Sequence, residues 1–225
     1  MSGRKNRSAG GSLTLLPDPA EYEADPAKDP IKYYYYPFLG KLYRRRVEMC
    51  LDFLEGGERV LEVGFGSGPT LLSLSEKYGE VWGLDLGANC EKVAGIFNAR
   101  GVFPKLFNGS VLKMPFPDGH FDAALLVSIL EHLHKHELPQ AFAEIWRTLK
   151  PGGTVVYGVP VDRPMMTAAF RLMGHDISKE HFSTERDVAQ AAGEKFELVE
   201  MKKLSSFFGL AGTIYEAALL RKPRG

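Results

Sequence analysis

The residues best placed to do chemistry in this chain lie in Val60-Leu61-Glu62-Val63-Gly64-Phe65-Gly66-Ser67-Gly68, where an apolar run bearing one acid ends in glycine at every second position. Glycine tolerates positive φ and lets a bound molecule approach the backbone. A strand that ends in such a turn and feeds a helix presents free N–H groups to a ligand. The spacing is G-x-G-x-G, not the G-x-G-x-x-G of a pyrophosphate site, and Pro69 suits the first turn of a following helix. Seventeen residues beyond Gly68, the run Trp82-Gly83-Leu84 ends in Asp85. A carboxylate there accepts both hydrogen bonds of a ribose diol, a device that several nucleoside cofactors share; the plainer reading is a solvated acid ending a strand. For proton transfer the first candidates are the six histidines, since imidazole titrates in the useful range.

These groups need elements to hold them. Leu39, Leu42, Tyr43, Val47, Cys50 and Leu54 recur at helical steps and predict an amphipathic helix ending before Gly56-Gly57. Strands are expected at Arg59–Val63, Val81–Asp85, Pro104–Phe107, Phe121–Ser128, Thr154–Val159, Phe196–Lys203 and Ile214–Arg221. Helices are expected between them at Pro69–Tyr78, Ala88–Ala99 and Pro139–Leu149. The nearly continuous apolar run Phe121–Ser128 suits a strand covered on both faces. Strand–helix alternation implies right-handed βαβ units and a parallel sheet. No clear helix joins the last two strands, so an antiparallel closing pair is expected.

Composition bounds the rest. A chain of 225 residues with 44% hydrophobic content and zero formal net charge reads as one ordinary globular domain with no general field for nucleic acid. Cys50 and Cys90 are too few for a disulfide framework or a zinc cluster. No stretch has the length of a membrane span or a signal-peptide core, so a cytoplasmic location is the expectation. Residues 1–30 are expected to be a poorly ordered tail: Met1–Ser12 is basic and Gly/Ser-rich, and Pro17–Pro30 holds four prolines and five acids. The domain is expected to occupy residues 31–225.

With Glu62 two residues before the first glycine, the loop resembles the first motif of class I S-adenosylmethionine (SAM)-dependent methyltransferases. Asn108-Gly109-Ser110-Val111-Leu112-Lys113-Met114-Pro115-Phe116 is similar to the family's G-D-x-x-x-L-P-F stretch, with Ser110 where an adenine-binding Asp is usual. Ser128-Ile129-Leu130-Glu131-His132-Leu133 and Arg147-Thr148-Leu149-Lys150-Pro151-Gly152-Gly153 resemble motifs of the small-molecule, type 11 or ubiquinone-pathway-like branch. The resemblance covers about residues 58 to 160. It implies a Rossmann-like three-layer αβα sandwich with a seven-stranded, mostly parallel sheet whose last strand is antiparallel.

It also implies that Glu62 and the backbone of Gly64, Phe65, Gly66, Ser67 and Gly68 hold the methionine end of SAM. Asp85, with Leu86 beside it, would hold the ribose; Ser110, Val111 and Leu112 would border adenine; Ser128 would complete the site. The absence of an Asn/Asp-Pro-Pro-aromatic tetrapeptide and of a Pro-Cys nucleophile argues against methylation of DNA bases. A small, apolar or lipidic acceptor is expected, methylated at O, N or C. Two other readings stand beside it, a non-catalytic SAM-binding regulatory or partner subunit and an NAD(P)-dependent oxidoreductase.

His132, just past the fourth strand, and His181, before Phe182-Ser183, are the candidates for a general base. A metal held by His132, His134 and His136 is disfavoured, since alternate residues point apart on a helix. Ser183 with Glu185-Arg186 is expected to open a helix. The aromatics of Lys32–Phe38 with Met165, Met166, Phe170, Met173 and Phe207-Phe208-Gly209 would line an apolar acceptor pocket, with core packing under a short cap as the alternative. Arg44-Arg45-Arg46 spread over a wide arc and read as a solvated face; contact with an acidic substrate or an anionic membrane surface is the alternative.

Overall fold

A computed structural model describes residues 12–24, 29–161, 181–205 and 212–224. Its centre is one seven-stranded sheet of order β3-β2-β1-β4-β5-β7-β6. The strands are β1 (Gly57–Val63), β2 (Tyr78–Asp85), β3 (Lys105–Asn108), β4 (Phe121–Val127), β5 (Leu149–Pro160), β6 (Glu197–Ser205) and β7 (Thr213–Arg221). β1 pairs in parallel with β2 and β4, β2 with β3, and β4 with β5. β7 alone runs against its neighbours, pairing antiparallel to β5 and β6. The expected sheet is therefore the observed one.

Helices α1 (Leu39–Leu51), α2 (Leu71–Ser75) and α3 (Cys90–Asn98) cover one face, and α4 (Leu138–Thr148) and α5 (Glu185–Gly193) the other. The period of two along each strand divides the core accordingly. Val60, Ala123, Leu125, Val156 and Tyr215 point toward α1–α3, whereas Leu61, Val63, Ala124, Leu126, Val155 and Tyr157 point toward α4 and α5. Ala123, Ala124, Leu125 and Leu126 are all buried, as a strand covered on both faces requires.

The helix expected over Pro69–Tyr78 is only Leu71–Ser75, because Tyr78 already begins β2. The cap of α5 is Thr184, one residue past Ser183: its hydroxyl accepts from Asp187 N, and the Asp187 carboxylate accepts from Thr184 N, a reciprocal capping box. Ser183 Oγ instead donates to Leu133 O at 2.6 Å.

Residues 12–24 are not the poorly ordered tail that their composition suggested. Leu13, Leu16 and Tyr22 are buried in the α1–α3 face of the core. Thr14 N donates to Ser73 Oγ at 2.9 Å, Leu16 N donates to Tyr22 Oη at 2.8 Å, and Tyr35 Oη donates to Leu16 O. Glu21 pairs with Arg100, and Glu23 pairs with Lys92 at 3.1 Å. The segment is a strap across α2 and α3. Prolines and acids are interspersed along it, and three apolar side chains anchor it. Residues 1–11 lie outside the described residues.

Candidate functional site

In-register pairing of Val63 with Leu84 and Leu126 brings Gly64, Asp85 and Ser128 to one level at the carboxyl ends of β1, β2 and β4. That is where open parallel sheets bind ligands. The loop after β1 turns through three residues of positive φ, at 76° for Gly64, 52° for Gly66 and 85° for Gly68. A side chain on Gly64 would run into Ile129, and one on Gly68 would meet the Phe97 ring at 2.8 Å. Phe65 takes part through its backbone only, since its ring is buried against Gly83.

Glu62 is 3% exposed beneath this loop. Burial pushes its carboxyl up to about 7, and the nearby Asp85 charge adds to the rise, while the hydroxyl of Thr70, donating to it at 2.5 Å, pulls the other way. Asp85 is bound into the backbone: Oδ2 accepts from Gly66 N at 2.9 Å, and Oδ1 accepts from Gly87 N at 2.8 Å and Ala88 N at 2.9 Å. The acid thus locks the glycine loop to the turn after β2 and keeps one lone pair on Oδ2 for a further donor. Leu86 beside it is 79% exposed.

One group here was not found by sequence reasoning. Asp29 Oδ2 accepts from Ser67 N at 2.9 Å, and its Oδ1 accepts from Ile31 N at 2.9 Å. A carboxylate from the start of the chain therefore sits on an amide of the glycine loop. Nothing local marks Asp29 in the sequence; the contact spans 38 residues. Ser67 Oγ is buried and has no hydrogen-bond partner among the described residues.

On the other flank, Ser110 Oγ accepts from Leu112 N at 3.2 Å and so shapes its own turn, with Val111 and Met114 buried behind it. Arg147 clamps this stretch, donating to Met114 O at 3.1 Å and Phe116 O at 2.7 Å while paired to Glu144, whose carboxylate accepts from Met114 N. Ser128 is the one described non-glycine residue with positive φ, at 56°. Such backbone outliers gather at functional sites. Its hydroxyl lies 3.1 Å from Tyr215 Oη, which turns it toward β7 and away from the glycine loop.

The two histidines singled out separately in the sequence are neighbours in space. Glu131 O accepts from Phe182 N at 2.8 Å, which with the Ser183–Leu133 bond ties residues 181–183 to the turn after β4. The His132 and His181 rings then stand 5.5 Å apart, edge to face. The buried Glu131 carboxylate joins them, with ligand atoms of all three within 4.8 Å of one another. This is a different grouping from the His132/His134/His136 set: His134 stacks on His136 and Phe182 instead.

α1 delivers a further surprise. Its three arginines do not share a solvated face. Arg45 pairs with Glu48 and Asp52, and Arg44 Nε donates to Tyr34 O at 2.9 Å. Arg46 points inward, its guanidinium 4.3 Å from the centroid of the Tyr43 ring and 5.1 Å from that of Tyr215. Burial is the largest influence on its pKa and pulls it down, but Tyr215, Tyr34, Tyr43 and Glu131 outweigh it, so Arg46 stays charged. The aromatic stretch expected to wall the pocket contributes Tyr34, which is buried, while Tyr36 and Phe38 are exposed. Met165, Met166, Phe170, Met173, Phe207, Phe208 and Gly209 lie outside the described residues.

The chemistry of this donor set fits a cationic nucleoside. The buried Glu62 and the half-buried Asp29 and Asp85 surround a loop whose Ser67 hydroxyl has no hydrogen-bond partner among the described residues. Comparison with known proteins agrees. A family model described as a methyltransferase domain matches residues 61–157. The demethylmenaquinone methyltransferase of Thermus thermophilus is 32% identical over 116 residues, 50% of this chain and 51% of its own. The 24-methylenesterol C-methyltransferase 2 of Arabidopsis thaliana is 33% identical over 119 residues, 50% of this chain and 32% of its own. The chain thus spans about half or less of the length of these two relatives. Among solved structures, the N-methyltransferase NodS of Bradyrhizobium japonicum WM9 superposes with a TM-score of 0.66 at 20% identity, covering 87% of this chain and 93% of that one.

Proposed function

We propose that this chain, whose residues 61–157 match the methyltransferase-domain family model, transfers a methyl group from SAM to a small, apolar or lipidic acceptor. The observation that carries the reading is the convergence, at one end of the sheet, of the glycine loop with its acids and of the His132–His181–Glu131 cluster. A binding cradle for a charged nucleoside therefore adjoins groups able to move a proton. Relatives named for menaquinone and sterol methylation support an acceptor of lipidic character. Balanced charge supports a small molecule over nucleic acid, and a cytoplasmic location goes with that reading. No helix among the described residues is long and apolar enough to cross a membrane.

SAM supplies an electrophilic sulfonium methyl. The chain's task is placement: holding acceptor and methyl in line removes the entropy of encounter, which is the main source of rate here. In this reading Glu62, Asp29 and the amides of Gly64–Gly68 orient the methionine end, Asp85 takes the ribose, and Val111 and Leu112 border adenine. His181 or His132, oriented by Glu131, takes the proton that an O–H, N–H or activated C–H acceptor releases.

The test is calorimetric titration with SAM, S-adenosylhomocysteine and NAD, followed by a screen of hydroxylated aromatic and prenylated acceptors for S-adenosylhomocysteine release. Micromolar binding of the sulfur nucleosides is expected, at least about a hundredfold weaker in Asp85→Ala, since the paired hydrogen bonds of a carboxylate are lost. A preference for NAD would defeat the reading. Tight SAM binding without turnover on any acceptor would favour a non-catalytic SAM-binding subunit.

A further inference from the structure

The corner that leads into α1 exposes apolar side chains where folding gains nothing from them. Tyr36, Pro37, Phe38 and Leu39 are consecutive and exposed, Tyr36 at 49%, Phe38 at 82% and Leu39 at 37%. Phe38 is the N-cap of α1 and makes no side-chain cap bond. Ser, Thr, Asp or Asn there would satisfy a free helix amide, and an acid in the first turn would complement the helix dipole. The first turn instead holds Leu39, Gly40 and Lys41, with no acid. Phe38 and Lys41 are thus poor choices for starting a helix, and what they supply is a surface that is apolar and positively charged.

The corner is firmly built. A 3-10 turn over Ile31–Tyr35 packs onto the start of α1, where Gly40 N donates to Tyr36 O at 2.9 Å. A Cβ on Gly40 would lie 2.5 Å from Tyr34 O, so only glycine fits there. Tyr33 gathers the outer side, its ring 5.6 Å from that of Tyr36 and 5.5 Å from that of Tyr43, with Lys32 Nζ 5.1 Å from its centroid. Between Asp29 and Glu48 the chain carries Lys32, Lys41 and Arg44-Arg45-Arg46 and no acid, in a protein of zero net charge. The arginines are engaged with Tyr34 O, with Glu48 and Asp52, and with aromatic rings; Lys32 and Lys41, both exposed, flank the aromatic patch. Both ends of the corner lead to the cofactor end of the sheet. Asp29 rests on the Ser67 amide, and Tyr43 adjoins Arg46, which lies over the Tyr215 ring whose hydroxyl meets Ser128.

We infer that this corner is a peripheral docking surface for an anionic lipid bilayer. Phe38 and Leu39 enter the boundary between headgroups and acyl chains, Tyr33 and Tyr36 sit at its polar edge, and Lys32 and Lys41 face anionic headgroups. The composition selects a bilayer over a protein partner. Protein-interface cores are depleted in lysine, whereas a bilayer boundary takes aromatic rings and snorkelling lysines side by side. A few apolar side chains and two lysines give reversible attachment, in keeping with the lack of a membrane-spanning helix among the described residues. The inference goes beyond the methyl-transfer reading and stands without it. Where that reading holds, docking sets the cofactor end of the sheet beside the phase in which a lipidic acceptor dissolves.

The test is co-sedimentation of the full chain with vesicles of phosphatidylcholine, alone or mixed with phosphatidylglycerol, at low and high salt. The wild-type chain is expected to bind the mixed vesicles about tenfold or more tighter than the neutral ones, and to lose that preference as salt rises. Phe38→Ser should weaken binding to mixed vesicles about tenfold or more, through lost apolar burial. Because serine is a good N-cap, the same substitution should leave the denaturation midpoint unchanged or raised, which separates a docking role from a folding role. Lys32→Glu combined with Lys41→Glu should abolish the preference for anionic vesicles. Circular dichroism verifies the fold of this double variant; should it not fold, Lys41→Gln serves in its place, with a reduced preference expected and an unchanged one counting against the inference. Absence of wild-type binding to mixed vesicles, equal binding to both kinds, or undiminished binding by Phe38→Ser overturns the inference. So does a wild-type dimer in analytical ultracentrifugation that Phe38→Ser disperses, since the face then belongs to a second copy of the chain. Failure of the wild-type chain to bind S-adenosylhomocysteine strikes the methyltransferase reading; failure to bind vesicles in a chain that binds it strikes only this inference.

Discussion

At the amino-terminal ends of β1, β4 and β5, Asp122 accepts from Glu58 N at 2.9 Å, Arg59 N at 2.8 Å and Lys150 Nζ at 2.7 Å, and Lys150 also reaches Glu58. Arg59 and Lys105 converge on Glu80 beside it. At the carboxyl ends of the same sheet, Ser128 holds a left-handed backbone, Ser67 Oγ is buried with no hydrogen bond among the described residues, and Glu62 is buried with its carboxyl raised to about 7. One end has its charged groups matched by one another, with only His120 Nε2 buried and without a hydrogen bond among the described residues. The other end has more such groups, and they gather round the glycine loop and β4. The contrast separates residues that hold the fold from those proposed here to act on a ligand, although the sequence motifs mix the two. Lys150 and Arg147 belong to the same run, yet Lys150 ties strands together far from the glycine loop while Arg147 clamps the Met114–Phe116 edge of the site.

The sharpest break would come at the histidine cluster. His181→Ala and Glu131→Gln are each expected to lower kcat by about a hundredfold or more on a proton-releasing acceptor found by the screen, with SAM affinity within about twofold of wild type. An unchanged kcat in both would move these groups out of catalysis and leave placement alone to account for the rate. At the opposite end, Asp122→Ala orphans two backbone donors and leaves Lys150 with Glu58 alone, and should cost about 1–3 kcal/mol in denaturant unfolding. SAM affinity should stay the same; a large loss would mean that the two ends are not separable.

The smallest effect sharpens the comparison through pH. Because burial raises Glu62, the folded chain holds a proton that the unfolded chain has released between the ordinary carboxyl range and about 7. Stability without ligand therefore falls as pH rises through that window. A net-positive cofactor favours the ionised carboxylate, so SAM affinity should rise by about tenfold from pH 6 to pH 8, with proton release seen as a buffer-dependent binding enthalpy. Glu62→Gln should flatten the profile; a slope that survives the substitution assigns the proton elsewhere.

What was legible in the sequence is what is local. Alternating apolar residues, glycine spacing and a terminal acid located β1, the loop and Asp85, because each signal lies within one element and its turn. The same held for His132 and His181 one at a time. Their meeting depends on Glu131 O accepting from Phe182 N, a tertiary bond that no spacing announces. Asp29 and Arg46 escaped for the same reason, since a short acidic stretch and a triplet of arginines look solvated until packing sets one member of each against a loop amide or aromatic rings. Residues 12–24 misled through composition, where three anchors carry the packing and the other residues only link them.

The strap has a thermodynamic consequence. Asp29, just past the strap in sequence, rests on the Ser67 amide, so docking of the strap and occupation of the glycine loop are expected to be linked equilibria, and linkage is reciprocal. Whatever holds the strap down then tunes the ligand's affinity. Salt that screens the exposed Glu23–Lys92 pair and the Glu21–Arg100 pair should then weaken cofactor binding at a site in which neither pair takes part.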